Sequence, residues 1–361
     1  MTPALEIRSR IRSYPVLETD TLAQAIAGAP GGCRALWLVD ANVRRAYPAE
    51  LKALAGEVVE LEASEQAKSF AQVGPLIEEI LARGFRRDWK LVAVGGGVTQ
   101  DIAAFACSIL FRGARWSLIP STLLAQCDSC IGSKSSINIG RWKNQLGTFY
   151  PPDQVLLCPA LLGSLPDEAI VSGLGEVIKL HLIAGEAPFQ ALRATLDEGA
   201  LDSGGLRPSR QALREMAWAS LRIKQAFIEE DELDAGVRNL LNYGHTFGHA
   251  LESATGYALP HGIGVLLGID AATFFSARLG WVADDYAREL QQWLGKYFRP
   301  HLGLLRRVQA QEVLSAMKLD KKNTGDGITC ILTRGAGAMH KHTLERQAVR
   351  ELLAEWLQEL A

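Results

Sequence analysis

Two hydrophobic periodicities divide this chain, and their order restricts the folds open to it. Up to about Ala160, short apolar runs alternate with helical stretches. Ala35–Val39, Glu57–Leu61, Leu91–Val94, Trp116–Ile119 and Val155–Leu157 are apolar and rich in β-branched residues, as strands are. Between them lie stretches such as Val73–Arg83, with Ile77, Ile80 and Leu81 on one stripe. Alternation of this kind predicts a mostly parallel sheet covered by helices, because parallel neighbours must be joined by long crossovers.

Pro151, Pro152, Pro159 and Pro166 punctuate the next stretch, and the pattern beyond them is almost wholly helical. Helices are predicted over Glu168–Leu182, Arg210–Glu230, Arg238–Ala254, Gly262–Arg278 and Asp284–Tyr297, with one strand-like piece at Ile328–Thr333. The tail from Thr343 to Leu360 gathers Ala348, Val349, Leu352, Leu353, Trp356 and Leu360 on one face. The expected fold is an N-terminal Rossmann-like α/β domain with a mostly parallel sheet, residues 1–160, followed by an all-α metal-binding domain, residues 161–361. A length of 361 residues suits two such domains.

Charge excludes some functions. A formal net charge of −2 argues against a nucleic-acid partner, which would call for a basic excess. No apolar run reaches the roughly 18–20 residues that span a bilayer, and the arginines at 8, 10 and 12 are not followed by the apolar core of a signal peptide. The six cysteines sit mostly in apolar segments, which suits free thiols of a cytoplasmic protein. Cys127-Asp128-Ser129-Cys130 has redox-motif spacing but not the helix-opening setting that such a motif uses.

Three clusters carry chemistry. Asn242-Tyr243-Gly244-His245-Thr246-Phe247-Gly248-His249, with His261-Gly262 further on, holds three of the seven histidines. A zinc-like ion takes imidazole and carboxylate ligands and keeps one face open for substrate. His245 and His249 share a helix side, His261 opens the next helix, and Glu176 could supply the anionic ligand. Gly244, Gly248 and Gly262 thin the helices beside the histidines, as expected where something large approaches.

Gly95-Gly96-Gly97 closes a strand and opens a helix, which brings bare backbone to a phosphate at a helix N-terminus. It is not the G-x-G-x-x-G fingerprint. Asp101, the pair Asp40 and Asn42, and the run Ser64–Ser69 could bind nucleotide hydroxyls or simply cap helices and turns. Finally, Asp128, Lys134, Lys143 and Asn144 crowd a glycine- and serine-rich segment. Lys224, Arg238 and Lys321-Lys322 add cations suited to a substrate with two anionic ends.

Together these motifs resemble the 3-dehydroquinate synthases and related sugar phosphate cyclases, over about Ser13 to Thr333. Gly95 to Asp101 resembles GGGVxGD. Arg112-Gly113 with Pro120-Ser121-Thr122-Leu123-Leu124-Ala125 and Asp128-Ser129 resembles RG…PTTLLA…DS. Lys143-Asn144 matches KNxxG, Gly175 to Lys179 matches AEVIK, and Asn242 to His249 matches LNxGHTFGH.

The resemblance implies that Glu176, His245 and His261 hold zinc (or cobalt), with His249 turned to the phosphate. It implies an NAD site at Asp40, Asn42, Glu65, Lys68, Gly95, Gly96, Gly97, Asp101, Ser121 and Thr122. Asp128, Lys179 and Asn242 would touch the reacting hydroxyls. Lys134, Asn144, His249 and one of Lys321 and Lys322 would grip the phosphate, Lys143 would bind substrate, and Lys224 and Arg238 would face the substrate carboxylate. Arg112 would reach into a neighbouring subunit's site, which implies a homodimer. The implied chemistry is oxidation, phosphate elimination, reduction and intramolecular aldol closure of a 7-phosphorylated heptulosonate.

The chain departs from the pattern at Gly132-Ser133-Lys134-Ser135 for GGKT, His261-Gly262-Ile263 for HGE, and Ser121 for the first threonine of PTT. Gly-Ser-Lys is similar to cyclases of specialised metabolism that use sedoheptulose 7-phosphate or another sugar phosphate. A metal-dependent polyol dehydrogenase, which would accumulate NADH, is the other enzyme class compatible with a glycine turn and a histidine-rich helical domain.

Overall fold

A computed structural model describes residues 5–54, 56–140, 142–197, 207–318 and 327–360. The chain forms two compact units, residues 1–170 with 213–233, and residues 171–212 with 234–361.

In the first unit the strands are β1 (Leu5–Ile7), β2 (Tyr14–Glu18), β3 (Ala35–Asp40), β4 (Val58–Leu61), β5 (Lys90–Gly95), β6 (Arg115–Pro120), β7 (Ile137–Ile139), β8 (Trp142–Leu146) and β9 (Gln154–Leu157). Helices α1 (Leu22–Gly28), α2 (Ala41–Ala46), α3 (Pro48–Leu51), α4 (Phe70–Ala82) and α5 (Gly97–Ile109) run among them. Seven strands form one sheet in the order β1-β2-β9-β6-β5-β3-β4, parallel throughout except the edge pair β1–β2. β7 and β8 make a separate antiparallel hairpin.

The sheet is covered on both faces, which explains why its central strands read as unbroken apolar runs. Leu36, Leu38, Leu91 and Ala93 belong to one buried cluster, while Trp37, Val39, Val92 and Val94 belong to another. Successive strand residues point to opposite faces, so both must be apolar.

The chain next forms α6 (Asp167–Ala184) and α7 (Glu186–Asp197) of the second unit, returns to the first with α8 (Arg210–Glu230), then completes the second. The remaining elements are α9 (His245–Ala254), α10 (His261–Arg278), α11 (Asp284–Phe298), α12 (Ala310–Lys318), the antiparallel pair β10 (Gly327–Thr333) and β11 (Met339–Glu345), and α13 (Arg346–Leu360). Helix α10 is buried on every side from Gly262 to Ser276, which marks it as the centre of the helical unit. Among the described residues no helix is long and apolar enough to cross a membrane.

Three features differ from expectation. The boundary falls at residue 170 rather than 160, and α8 joins the sheet unit. Trp218, Leu221 and Ile228 of α8 pack in the sheet's own core, and Glu18 of β2 accepts from the Trp218 indole and pairs with Arg214. The single helix expected over Arg238–Ala254 is broken: a 3₁₀ segment, Val237–Asn242, ends before Gly244, whose φ of 79° interrupts the ladder, and α9 starts at His245. The helical unit also carries the β10–β11 hairpin, whose second strand is largely polar.

Candidate active site

In the helical unit the site is built by α6, α9 and α10. Glu176 lies mid-α6 and is 1% exposed. His245 is the first residue of α9 and His261 the first of α10. Glu176 Oε1 lies 3.3 Å from His245 Nε2 and 3.2 Å from His261 Nε2, while Lys179, one turn along α6, pairs with Oε2. The Nδ1 of His261 is 2.8 Å from Glu252 Oε1, and that of His245 is 3.3 Å from the Tyr243 carbonyl. An N–H at each Nδ1 is the tautomer these acceptors favour, which leaves both Nε2 lone pairs aimed at a carboxylate oxygen. Such a convergence is repulsive unless a cation joins it.

The electrostatics agree. Burial opposes ionisation of Glu176, but Lys179 and then His245 hold its carboxyl well below the usual range. Burial, then Lys179, lowers His245. Burial also opposes charge on His261, yet the Glu252 and Glu176 carboxylates lift it to about 9. A field that draws a proton onto His261 also favours a metal ion. One buried carboxylate with neutral imidazoles is a donor set that fits zinc.

His249 belongs to the same cluster: the ligand atoms of His245, His249 and His261 all lie within 4.8 Å of one another. Glu176 contacts His245 and His261, the pair named by the family resemblance.

The glycines act differently from expectation. A Cβ on Gly262 would lie 1.7 Å from the Ser172 carbonyl oxygen, and one on Gly175 would lie 2.2 Å from the Gly262 oxygen. These glycines allow α6 and α10 to touch backbone to backbone, rather than leaving room for a ligand. The close crossing is what brings Glu176 to His261.

Glu252 escaped sequence reading. It follows His245 and His249 at helical spacing, i+7 and i+3, so the signal was present. Glu252→Gln leaves a side chain that cannot serve His261 as an anion, and should weaken zinc affinity by about 10- to 100-fold. Chelator competition on the purified protein would check this; unaltered affinity would show Glu252 to be only structural.

Within the sheet unit, Gly95 ends β5 and Gly97 starts α5. Gly95 is required by packing, since a Cβ there would meet Thr99 Oγ1 at 2.3 Å, whereas Gly97 has ordinary clearance. Asp40 caps α2 by accepting from the Asn42 N–H at 2.8 Å, and burial raises its pKa. Asn42 is exposed. Lys68, buried, pairs with Asp101 at 2.6 Å, and Asp101 also accepts from the Ser136 N–H and hydroxyl. Ser121 donates its N–H to the Gly95 carbonyl, and Thr122 Oγ1 accepts from the Ala125 N–H. Glu65 accepts from Asn138 at 2.8 Å and lies 3.7 Å from the Lys143 ammonium.

Asp128 sits in a one-turn π-helix, Ala125–Ser129, of the kind often found at functional sites. Lys224 of α8 donates to the Asp128 carbonyl at 2.7 Å and pairs with its carboxylate. Ser133, at φ 63°, accepts the conformation usually reserved for glycine, and its hydroxyl donates to buried Glu232 at 3.3 Å. Lys134 follows it and is exposed. Asn144 has φ 56°, and its Oδ1 is buried without a partner. Arg112 is exposed at the end of a turn where Phe111 and Arg112 both have positive φ.

In the helical unit Arg238 is 4% exposed, and Asn242 donates to the Asn239 carbonyl. Lys321 and Lys322 lie outside the described residues. Cys127 and Cys130 are buried and not joined in a disulfide, and burial pushes the Cys130 thiol up to about 12.

A parallel sheet with a glycine turn in one unit, and a carboxylate–imidazole cluster in a helical second unit, define an α/β protein with a candidate metal centre. The family models for the 3-dehydroquinate synthase N-terminal and C-terminal domains match residues 58–172 and 173–323. The chain is 38% identical over 357 residues to the 3-dehydroquinate synthase of Sinorhizobium medicae, covering 93% of this chain and 92% of that protein. It belongs to the 3-dehydroquinate synthase family.

Among solved structures, a 2-deoxy-scyllo-inosose synthase complexed with carbaglucose-6-phosphate, NAD+ and Co2+ superposes with a TM-score of 0.83 at 22% identity, covering 97% of this chain and 99% of that one. The 2-epi-5-epi-valiolone synthase from Streptomyces hygroscopicus, with NAD+ and Zn2+ bound, gives 0.82 at 24% identity and 99% of both chains. These two likenesses concern the fold.

Proposed function

We propose that this protein is a sugar phosphate cyclase, a carbon–oxygen lyase of the 3-dehydroquinate synthase type that turns a 7-phosphorylated heptulosonate into a carbocycle with loss of phosphate. The observation that carries this reading is Glu176 Oε1 set between the Nε2 atoms of His245 and His261, in a chain of this family. NAD and zinc or cobalt are the proposed cofactors, in keeping with the solved relatives in fold, and the substrate is a sugar phosphate.

When bound, NAD supplies a reversible hydride acceptor and the metal supplies Lewis acidity at the alcohol being oxidised. The chain's own residues bind and orient. Glu176, His245 and His261 hold the metal. Asp40, Asn42, Glu65, Lys68, the three glycines, Asp101, Ser121 and Thr122 hold NAD. Asp128, Lys179 and Asn242 position the reacting hydroxyls. Lys134, Asn144 and His249 grip the phosphate, whose own oxygen takes the proton as it leaves, and Lys143 binds substrate. Little general acid–base work is left to the protein, so positioning and charge stabilisation dominate. NADH does not accumulate, because the cycle leaves no net oxidation. Arg112, exposed on its strained turn, is read as serving the site of a second copy in a homodimer, and the free thiols suit a cytoplasmic setting.

The carboxylated substrate, 3-deoxy-arabino-heptulosonate 7-phosphate, is favoured by Arg238. The family resemblance assigns Arg238, which is 4% exposed, to the substrate carboxylate, a group that sedoheptulose 7-phosphate lacks. The specialised-cyclase reading draws on Ser133 and on Ile263, which is fully buried where the family motif has an acid. Phosphate release from the heptulosonate phosphate, sedoheptulose 7-phosphate and glucose 6-phosphate tests the choice: the first should be turned over best. Steady NADH production from a simple polyol would instead indicate a dehydrogenase. Arg238→Ala should cut kcat/KM for the carboxylated substrate by about 100-fold or more, since truncation leaves the partner charge unpaired. Equal kinetics in that variant would remove the reason for preferring a carboxylate.

A further inference from the structure

We infer that Asn138 is a positioning residue that couples NAD binding to phosphate binding. The inference rests on the reading above, in which Glu65 and Lys68 hold NAD and Asn144 grips the phosphate.

Asn138, in β7, is fastened on two sides. Towards the NAD segment its Nδ2 donates to Glu65 Oε1 at 2.8 Å and to the Glu65 carbonyl at 3.4 Å, and its N–H donates to the Lys68 carbonyl at 2.8 Å. A parallel bridge to Ser69 continues that contact. Towards the substrate segment its Oδ1 accepts the Asn144 N–H at 2.8 Å. All the polar groups of one amide side chain are thus spent on joining two segments that are far apart in sequence.

Both ends need that support. Asn144 has φ 56°, a left-handed conformation that a non-glycine residue keeps only when its surroundings enforce it. Glu65 is partly exposed and is oriented by Asn138 and Lys143. A second link runs parallel to the first: Ser136, two residues before Asn138, gives its N–H and hydroxyl to Asp101, which pairs with Lys68. Ordering of Glu65, Lys68 and Asp101 around NAD therefore fixes β7, and with it the backbone of Asn144. Linkage requires the reverse as well: phosphate held at Asn144 must tighten NAD by the same factor.

Calorimetric titration of the metal-loaded, full-length protein tests this. NAD is titrated with and without saturating inorganic phosphate, then phosphate with and without NAD. In the unaltered protein each ligand should tighten the other by an equal factor of about 5 or more. Asn138→Ala should bring the factor close to unity. Asn138→Asp keeps the acceptor for the Asn144 N–H but sets a carboxylate against Glu65, and should reduce the coupling to what the Ser136 link carries. Adding Glu65→Gln to Asn138→Asp returns a donor to that pair and should restore it.

Undiminished coupling in Asn138→Ala, or its absence in the unaltered protein, overturns the inference. So does a double variant that binds NAD but keeps the reduced coupling. The underlying reading fails in a different way. If Lys134→Met and Asn144→Ala leave phosphate affinity unchanged, the phosphate assignment falls and the inference with it. If those two weaken phosphate while Asn138→Ala keeps the coupling, only the inference falls.

Discussion

Glu176→Gln should strip the metal and lower kcat/KM by about 1,000-fold or more, equivalent to roughly 4 kcal/mol of transition-state stabilisation. The substitution keeps size and shape, so the loss reports charge. Three consequences follow from one atom. The carboxylate that His245 and His261 share disappears. Lys179, 2% exposed, loses its ion pair with Glu176. The carboxylate field that lifts His261 is reduced to Glu252. Metal content by mass spectrometry and phosphate release on the same preparation check the result. A variant that retains one ion per chain and near-normal turnover would show that Glu176 is not a ligand.

Gly262→Ala should be nearly as damaging, and for a reason of packing. The new methyl would stand 1.7 Å from the Ser172 carbonyl oxygen, and the Gly262 N–H already donates to the Ser172 hydroxyl at 3.0 Å. Backbone cannot step aside as the end of a flexible side chain can, so α6 and α10 must separate. Overpacking of this kind costs about 3 kcal/mol, which corresponds to a fall of roughly 6–12 °C in Tm. Because Glu176 rides on α6 and His261 on α10, zinc affinity should fall with it. Scanning calorimetry and a zinc titration check both effects; unchanged Tm and affinity would mean that the crossing is looser than described.

These two sites show how far the sequence could be read. The meeting of Glu176 with His245 and His261 was legible through the family motifs that hold them, because spacing alone had offered His249 as well. The glycines beside them were visible too, but their purpose was not: a composition cannot say whether a missing Cβ admits a ligand or another backbone. The central strands β3, β5 and β6 were legible because burial on both faces makes them continuously apolar. β2 was not, since Tyr14-Pro15-Val16-Leu17-Glu18 is short and interrupted by proline. β11, Met339–Glu345, was not legible either, because its polar residues become a strand only through pairing with β10. The apolar stripe of α8 predicted a helix but could not reveal that its core was the sheet's. Asn138 and Ser136 lie in a polar run with no periodicity, and their roles exist only in the folded hairpin.

The central claim is that a metal and a recycled nicotinamide serve an elimination and ring closure, not a net oxidation. Its most direct test follows inorganic phosphate and NADH together as the NAD- and zinc-loaded protein consumes 3-deoxy-arabino-heptulosonate 7-phosphate. The account predicts one phosphate released per substrate consumed, no net NADH, and arrest on chelation of the metal. NADH rising in step with substrate loss, or phosphate release that persists after the metal is removed, would contradict it.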